Sequence, residues 1–298
     1  MDLWQLQIFC KVVDLRSFSR AARAVHLSQP TISSHIQALE QHFGCQLIDR
    51  MPRAALPTSA GAVLHRYAKR LLALRDETEA ALAEHQGFVR GQLRIGGSTI
   101  PGDYLLPPVI GGFTQIHPEV QVSLVIGDSR EIIDRVLEGD VEVGVVGART
   151  GERQAIQEKL VDDELRLIVP PGHPLVDRQP VPLERLAETP FIVRERGSGT
   201  LAAIETSLQR SGSGLKALSI KAEMGSTEAV IQAIRCGLGV SILSPVAVAD
   251  DLAGGRLQAL AIAGVDLRRA FYLTRHRQRT ASPIGALFSA YIVDRLRA

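Results

Sequence analysis

The amino-acid sequence predicts an α/β chain in three parts: an N-terminal all-α winged helix-turn-helix, a long linker helix and a two-lobed C-terminal half. Three observations predict it. Residues 18–42, FSRAARAVHLSQPTISSHIQALEQH, read as two short helices joined by a tight turn. A heptad seam then runs from Ala60 to Ala81 with no interior proline. From Leu93 onward short apolar strands alternate with amphipathic helices, and the alternation occurs in two successive series. The 298 residues are ample for two or three domains with sizeable cores.

In chain order, DLWQLQIFCKVVDL places Leu3, Leu6, Phe9, Val12 and Val13 at helical spacing, a first helix that covers the two that follow. Ala21, Ala22 and Val25 keep the next helix slim enough for close packing, and the turn falls at His26 and Leu27. Ser28 stands where an N-cap belongs, with Pro30 just inside the helix, where a missing N–H costs nothing. Ile32, Ile36 and Leu39 form the inward stripe. Gln29, Pro30, Ser33, Ser34 and Gln37 remain for the outward side. A solvated helix normally carries Lys and Glu there, whereas short hydrogen-bonding side chains suit close approach to base edges and phosphate oxygens in a major groove. The expected DNA-contacting set is Ser28, Gln29, Pro30, Thr31, Ser33, Ser34 and His35, with Arg50 and Arg53 from the following segment. That segment, FGCQLIDRMPRAALPTSAG, reads as a small β-ribbon wing whose arginines meet phosphate or a minor groove, or else as a solvated basic loop.

Ala60, Leu64, Tyr67, Leu71, Leu74, Thr78 and Ala81 repeat in alternating steps of four and three. A helix carrying that seam, about 40 Å long at ~1.5 Å per residue, is expected to pair with its copy in a homodimer or homotetramer. The expected boundaries are residues 1–58 for the DNA-binding domain, 59–90 for the linker helix and 91–298 for the two-lobed domain. Within the last, lobe I takes 91–163 and 269–298, and lobe II takes 164–268. The strands expected are LRIGG, VQVSLVIG and VEVGVVG in the first series, then LRLIVP, PFIVRE, ALSIKAEM and VSILS in the second. FYLTRHR and PIGALFSAYIVDRL return as a strand and a closing helix onto the first lobe. Such series point to a largely parallel sheet in each lobe, with a crevice between lobes.

Composition narrows the function classes. The net charge of +2 is uneven: residues 1–75 hold ten Lys/Arg against four Asp/Glu, so the basic end coincides with the predicted reader. Cys10, Cys45 and Cys236 have no spacing for a disulfide framework, zinc or a redox pair, and the histidines show no HxxxH or HExxH pattern; no metal and no cofactor is expected. No stretch of 18 or more apolar residues and no cationic leader is present, so a soluble, cytoplasmic protein without membrane attachment is expected. GxSxG, GxxxxGK[ST] and CxxC are all absent, which leaves an enzyme reading without a motif. A solute-binding receptor would fit the C-terminal half but requires export.

Taken together, FSRAARAVHLSQPTISSHIQALE, the LIDR and LPTSAG wing, the long helix, and HPEV, GHPL and GLGVSILS in that order resemble LysR-type transcriptional regulators over the whole length. The resemblance implies a winged helix-turn-helix bound to double-stranded promoter DNA, a dimerising linker helix, and a periplasmic-binding-protein-like effector domain that modulates promoter contact. Ser34 stands where many members have Arg, and Pro57 where Leu is frequent. STIPGDYLLP further resembles the branch associated with sulfur and selenium metabolism. A small anionic effector fits three predicted strand-to-helix junctions, Ser98-Thr99-Ile100, Ser198-Gly199-Thr200 and Ser226-Thr227, where first-turn amides and hydroxyls suit negative charge. Each single hydroxyl is equally explained by N-capping. Arg149, just after VEVGVVG, supplies a counter-charge there or lies on the surface.

Overall fold

A computed structural model describes residues 1–51, 54–85 and 89–297 of the chain, with only the backbone described for Arg50, Met51, Glu77 and most of residues 79–85. The chain divides into two compact units, Met1–Gly91 with Glu138–Asp140, and Gln92–Leu137 with Val141–Ala298.

In the first unit, α1 (Leu3–Leu15) starts from a capping box: Asp2 accepts from the Gln5 backbone N–H at 2.7 Å, and the Gln5 side chain accepts from the Asp2 N–H. Helices α2 (Phe18–Ala24) and α3 (Gln29–Phe43) follow, capped by Ser17 and Ser28. Leu6, Phe9, Val12, Ala21, Ile32, Ile36 and Leu39 share one core. Leu3 departs from the expected stripe and is exposed, because it lies in the first turn of α1, ahead of the packed face. Strands β1 (Ile48–Met51) and β2 (Ala54–Pro57) pair antiparallel as the wing. The Glu40 carboxylate receives the Leu47 and Ile48 amides, tying the wing to the end of α3. Thr58 caps α4 (Ser59–His85) by accepting from the Gly61 N–H at 3.0 Å. Gly61 itself is required by close approach: a Cβ there would lie 1.9 Å from the Leu47 carbonyl oxygen. The seam on α4 splits in two. Ala60 and Leu64 pack into the core of the head, whereas Tyr67, Leu71 and Leu74 are exposed.

The second unit holds β3 (Gly91–Ser98), a π-helical turn at Pro101–Leu105, α5 (Leu106–Ile116), β4 (Val120–Gly127), α6 (Ser129–Glu138) and β5 (Val143–Val146). Two long strands lead away and back, β6 (Ala155–Glu164) into β7 (Arg166–Val169) and, much later, β12. Between them lie β8 (Pro190–Arg194), α7 (Gly199–Arg210), β9 (Ser219–Met224), α8 (Thr227–Arg235), β10 (Ser241–Leu243), α9 (Ala249–Ala253) and β11 (Gln258–Leu260). Strand β12 (Arg268–His276) and α10 (Pro283–Arg297) close the chain. Phe288 of α10 meets Phe113 of α5 edge-on at 5.2 Å, so the closing helix packs against α5.

Both lobes use one strand order. The first reads β4-β3-β5-β12-β6. In the second, β9-β8 and β10-β7-β11 are joined through Val240, whose N–H donates to the Pro190 carbonyl and whose carbonyl accepts from the Ile192 N–H. β3 therefore lies between β4 and β5, and β8 between β9 and β10. The sheets are less parallel than the alternation suggests. β3 with β5 and β8 with β9 run parallel, but β12 runs antiparallel to β5 and β6, and β7 antiparallel to β10 and β11. The reason is the return journey between lobes, for which β6 and β12 pair as a ribbon from Ala155↔His276 to Glu164↔Arg268.

Candidate effector site and nucleic-acid interface

Ligand crevices in open α/β sheets form at the carboxyl ends of strands where the order reverses. In the first lobe that place is marked by Ser98, at the end of β3, whose Oγ accepts from the Gly147 N–H just beyond β5 at 3.2 Å. In the second lobe it is marked by Arg194, the last residue of β8. Arg194 is only 2 % exposed although it is an arginine. Its Nη1 donates to Thr227 Oγ1 at 2.6 Å and, across to the first lobe, to Thr99 Oγ1 at 3.3 Å. Its Nε and Nη2 grip both oxygens of Glu195 at 2.7 and 2.6 Å.

A second buried cation stands on the ribbon between lobes. Arg269 Nε donates to Asp163 Oδ2 at 2.7 Å, and Nη1 donates to Thr200 Oγ1 at 3.2 Å. Ser244 Oγ donates to the other oxygen of Asp163. Burial lowers the Arg269 pKa from its ordinary value against the pull of Asp163, and the Arg194 charge adds to the lowering. The Nη2 group of Arg269 and the hydroxyl of Ser129, at the start of α6, are buried without a hydrogen-bond partner. Ser129 and Gly199 touch across the cleft, since a Cβ on Gly199 would sit 2.5 Å from Ser129 Oγ. The starts of α6 and α7, one from each lobe, thus face one another beside an unsatisfied donor and an unsatisfied hydroxyl.

The residues expected from sequence are placed as follows. Thr99, Thr200 and Thr227 receive hydrogen bonds from the two buried arginines. Ser198 and Ser226 cap their own helices, accepting from Thr200 and Leu201 and from Ala229 respectively, so the amides at those two starts are partly consumed. Ile100 is buried and opens the π-helical turn, and Ser98 caps no helix. Arg149 is exposed, with its guanidinium 5.2 Å from the Tyr272 ring centroid, whereas the buried guanidinium groups are those of Arg194 and Arg269. Neither arginine was legible as a site residue, nor were Glu195, Asp163 and Ser129. The available signal was a charged residue closing an apolar strand at its carboxyl end, PFIVR.

On the reader, Ser28, Gln29, Pro30 and Ser34 are exposed, and Thr31, Ser33 and His35 are half-buried. Ser28 accepts from the Thr31 N–H, and its hydroxyl lies 2.7 Å from that of Thr31. Gln29 Oε1 accepts from Ser19 Oγ of α2 at 2.8 Å, which fixes the side chain and leaves its amide N–H₂ to donate. Arg50 lies on β1, with no side chain described, and Arg53 lies outside the described residues. Among the described residues no group of His, Cys, Asp and Glu could hold a metal, and no helix is long and apolar enough to cross a membrane.

A helical reader with a β-wing, joined to a two-lobed α/β unit with a polar cleft, defines the class of ligand-responsive regulators. Residues 3–62 match the bacterial regulatory helix-turn-helix family of lysR proteins, and residues 86–297 match the LysR substrate binding domain. The chain belongs to the LysR family of DNA-binding transcriptional regulators, whose C-terminal domain is an effector-binding domain. It is 31% identical over 265 residues to the HTH-type transcriptional regulator CysL of Bacillus subtilis (strain 168), covering 89% of this chain and 87% of the relative. A probable RuBisCO transcriptional regulator of Cyanidioschyzon merolae is 34% identical over 299 residues, with 97% of each chain covered. The regulatory domain of Synechocystis PCC6803 CcmR, solved in complex with 2-PG, superposes on 69% of this chain and 97% of its own at a TM-score of 0.64 with 28% identity. These relatives are regulators rather than enzymes.

Proposed function

We propose that this regulator responds to a small anion held between the lobes, and that the anion alters promoter contact without being turned over. The observation that carries the reading is Arg194, a buried cation at the carboxyl end of β8 that already reaches a hydroxyl from each lobe. Ser129 Oγ and Arg269 Nη2, buried and unpaired, supply further polar contacts in the same cleft. Thr99, Thr200 and Thr227 stay within the proposed site with Ser98 and Ile100. Ser198 and Ser226 act there through the helices they cap, and Arg149 leaves the site. That a related regulatory domain is solved with 2-PG agrees with a small ligand in this cleft. The relatives include both CysL and a RuBisCO regulator, so an effector from sulfur and selenium chemistry is one arm of the test.

For the head, Ser28, Gln29, Pro30, Thr31, Ser33, Ser34 and His35 approach the major groove of promoter DNA, and Arg50 and Arg53 of the wing meet the backbone. Domain limits of 1–58, 59–90 and 91–298 agree with the cap of α4 and with the start of β3, and the lobe exchange falls near residues 164 and 268. Tyr67, Leu71 and Leu74 form the face through which two copies pair, in the cytoplasm where the promoter lies. The test is calorimetric titration of the full chain with sulfate, thiosulfate, selenite, small carboxylates and 2-PG, with and without promoter DNA. Thr99→Val keeps shape and removes one hydroxyl, so it is expected to weaken the response while basal DNA binding stays. Heat of binding from no anion, or an unchanged response in Thr99→Val, refutes the anion site. Coupling is reciprocal, so DNA must change anion affinity by the factor by which the anion changes DNA affinity.

A further inference from the structure

We infer that Glu195 occupies the place of the effector's own anionic group on Arg194, and so decides which anions the cleft admits. The inference rests on the anion-site reading and adds a competitor to it. Arg194 is sealed in, with its side chain 2 % exposed, whereas the Glu195 side chain that covers it is 24 % exposed. The covering group is thus the solvent-facing member of the pair. It meets the guanidinium with two parallel hydrogen bonds, 2.7 Å from Nε and 2.6 Å from Nη2, which is the geometry a ligand carboxylate or tetrahedral oxyanion would adopt on the same edge. The opposite edge, Nη1, is spent on Thr227 and Thr99 and cannot serve a ligand equally.

The surroundings let Glu195 leave without unravelling the strand. Its backbone is held independently, with its N–H donating to the Met224 carbonyl at 3.2 Å and its carbonyl accepting from the Ser198 N–H at 3.2 Å. Only the side chain has to swing out into water. A buried arginine left bare is costly, so the fork is always filled, either by Glu195 or by an incoming anion. An anion that presents two oxygens in one plane matches what it displaces. A halide, offering a single contact, does not. Glu195 therefore raises the concentration of effector needed and screens out monodentate anions.

The experiment uses the full chain and Glu195→Gln, titrated by calorimetry with sulfate, 2-PG and a small dicarboxylate at constant ionic strength set with chloride. Glutamine keeps length and shape but removes the competing charge. Affinity for at least one probe is expected to rise by about tenfold or more, the equilibrium worth of one charge-assisted hydrogen bond, with no comparable gain for chloride. Glu195→Asp, which keeps the charge but cannot span both nitrogens as well, is expected to fall between parent and glutamine variant. It also carries the test if the glutamine variant does not fold. A Glu195→Gln protein that binds a probe no better than the parent, with an unchanged Glu195→Asp, overturns the inference while leaving the anion site standing. If parent and glutamine variant alike bind none of the probes, both readings are overturned; a glutamine variant that loses the binding its parent shows overturns the inference alone.

Discussion

Asp163→Asn tests whether the ribbon between lobes depends on its buried ion pair. Arg269 and Asp163 are 6 % and 3 % exposed, and they meet at 2.7 Å. Asparagine can offer one carbonyl oxygen to Arg269 Nε and turn its amide toward the Ser244 hydroxyl, so the hydrogen-bond count is nearly kept. What is lost is the counter-charge. Removing one partner of a buried pair costs about 3–5 kcal/mol, and the retained acceptor places this variant near the lower value. At 1.4 kcal/mol per factor of ten, amides of β6 and β12 are expected to exchange with deuterium about a hundredfold faster. Hydrogen-exchange mass spectrometry on peptides spanning 156–163 and 268–275 measures this, with the reader helices as an internal control. Arg269→Met leaves Asp163 as the bare charge and should cost a similar amount, whereas Asp163→Asn with Arg269→Met removes both charges and should recover much of the loss. An exchange rate within threefold of the parent, or a double variant as unstable as the sum of the singles, refutes the reasoning.

Burial, reinforced by Asp14, pushes the Cys10 thiol up to about 12, while Cys45 and Cys236 are exposed. A thiol reagent near neutral pH should therefore modify two cysteines in the native chain and the third only on unfolding, and Cys10→Ala should leave the native count unchanged. Burial pushes the Asp251 carboxyl up, but hydrogen bonds from Arg235 and Arg256 outweigh it and hold the pKa below its ordinary value near 3.8. A depressed carboxylate stabilises the fold above its unfolded pKa, and the contribution is lost as pH falls through the folded value. The drop in urea midpoint between about pH 7 and about pH 3 should accordingly be smaller in Asp251→Asn than in the parent. Asp at both Leu71 and Leu74, which are 42% and 57% exposed, should halve the mass measured by sedimentation without unfolding the head; an unchanged mass removes the pairing face.

Local signals carried the head. Ser28 and Pro30 define a helix start within three residues, and Ile32, Ile36 and Leu39 are fully buried because their spacing alone sets one face. The seam on α4 was legible as a period but not as an allegiance, since spacing does not say whether Ala60 and Leu64 turn to their own head or to a partner. Strand β6, AIQEKLVDDE, carries too many charges to read as a strand. Its conformation is dictated by pairing with β12 more than a hundred residues later, and two of its polar side chains are spent on partners far along the chain, Gln157 on Thr274 and Asp163 on an arginine 106 positions away. The same distance hid the site. Thr227 was visible as a helix start, yet the residue that donates to its hydroxyl, Arg194, lies 33 positions earlier at the end of an apolar strand.

The repeated strand order turns these separate observations into one argument about regulation. Thr99 follows β3, which lies between β4 and β5, and Arg194 ends β8, which lies between β9 and β10, so corresponding strand ends of the two lobes meet with unlike chemistry. One lobe offers a hydroxyl and the other a cation. Their hydrogen bond, at 3.3 Å, is long for a charged donor, while the bond from the same nitrogen to Thr227 within its own lobe is 2.6 Å. Arg194 is thus held firmly by the second lobe and loosely by the first. A ligand shifts a conformational equilibrium only by its differential affinity for the two states. An anion that bridges the loose side gains contacts in one arrangement of the lobes and not in another. For the proposed anion, the weak cross-lobe contact is where a few kcal/mol of binding would convert into movement, and the tight one would keep the cation in place meanwhile.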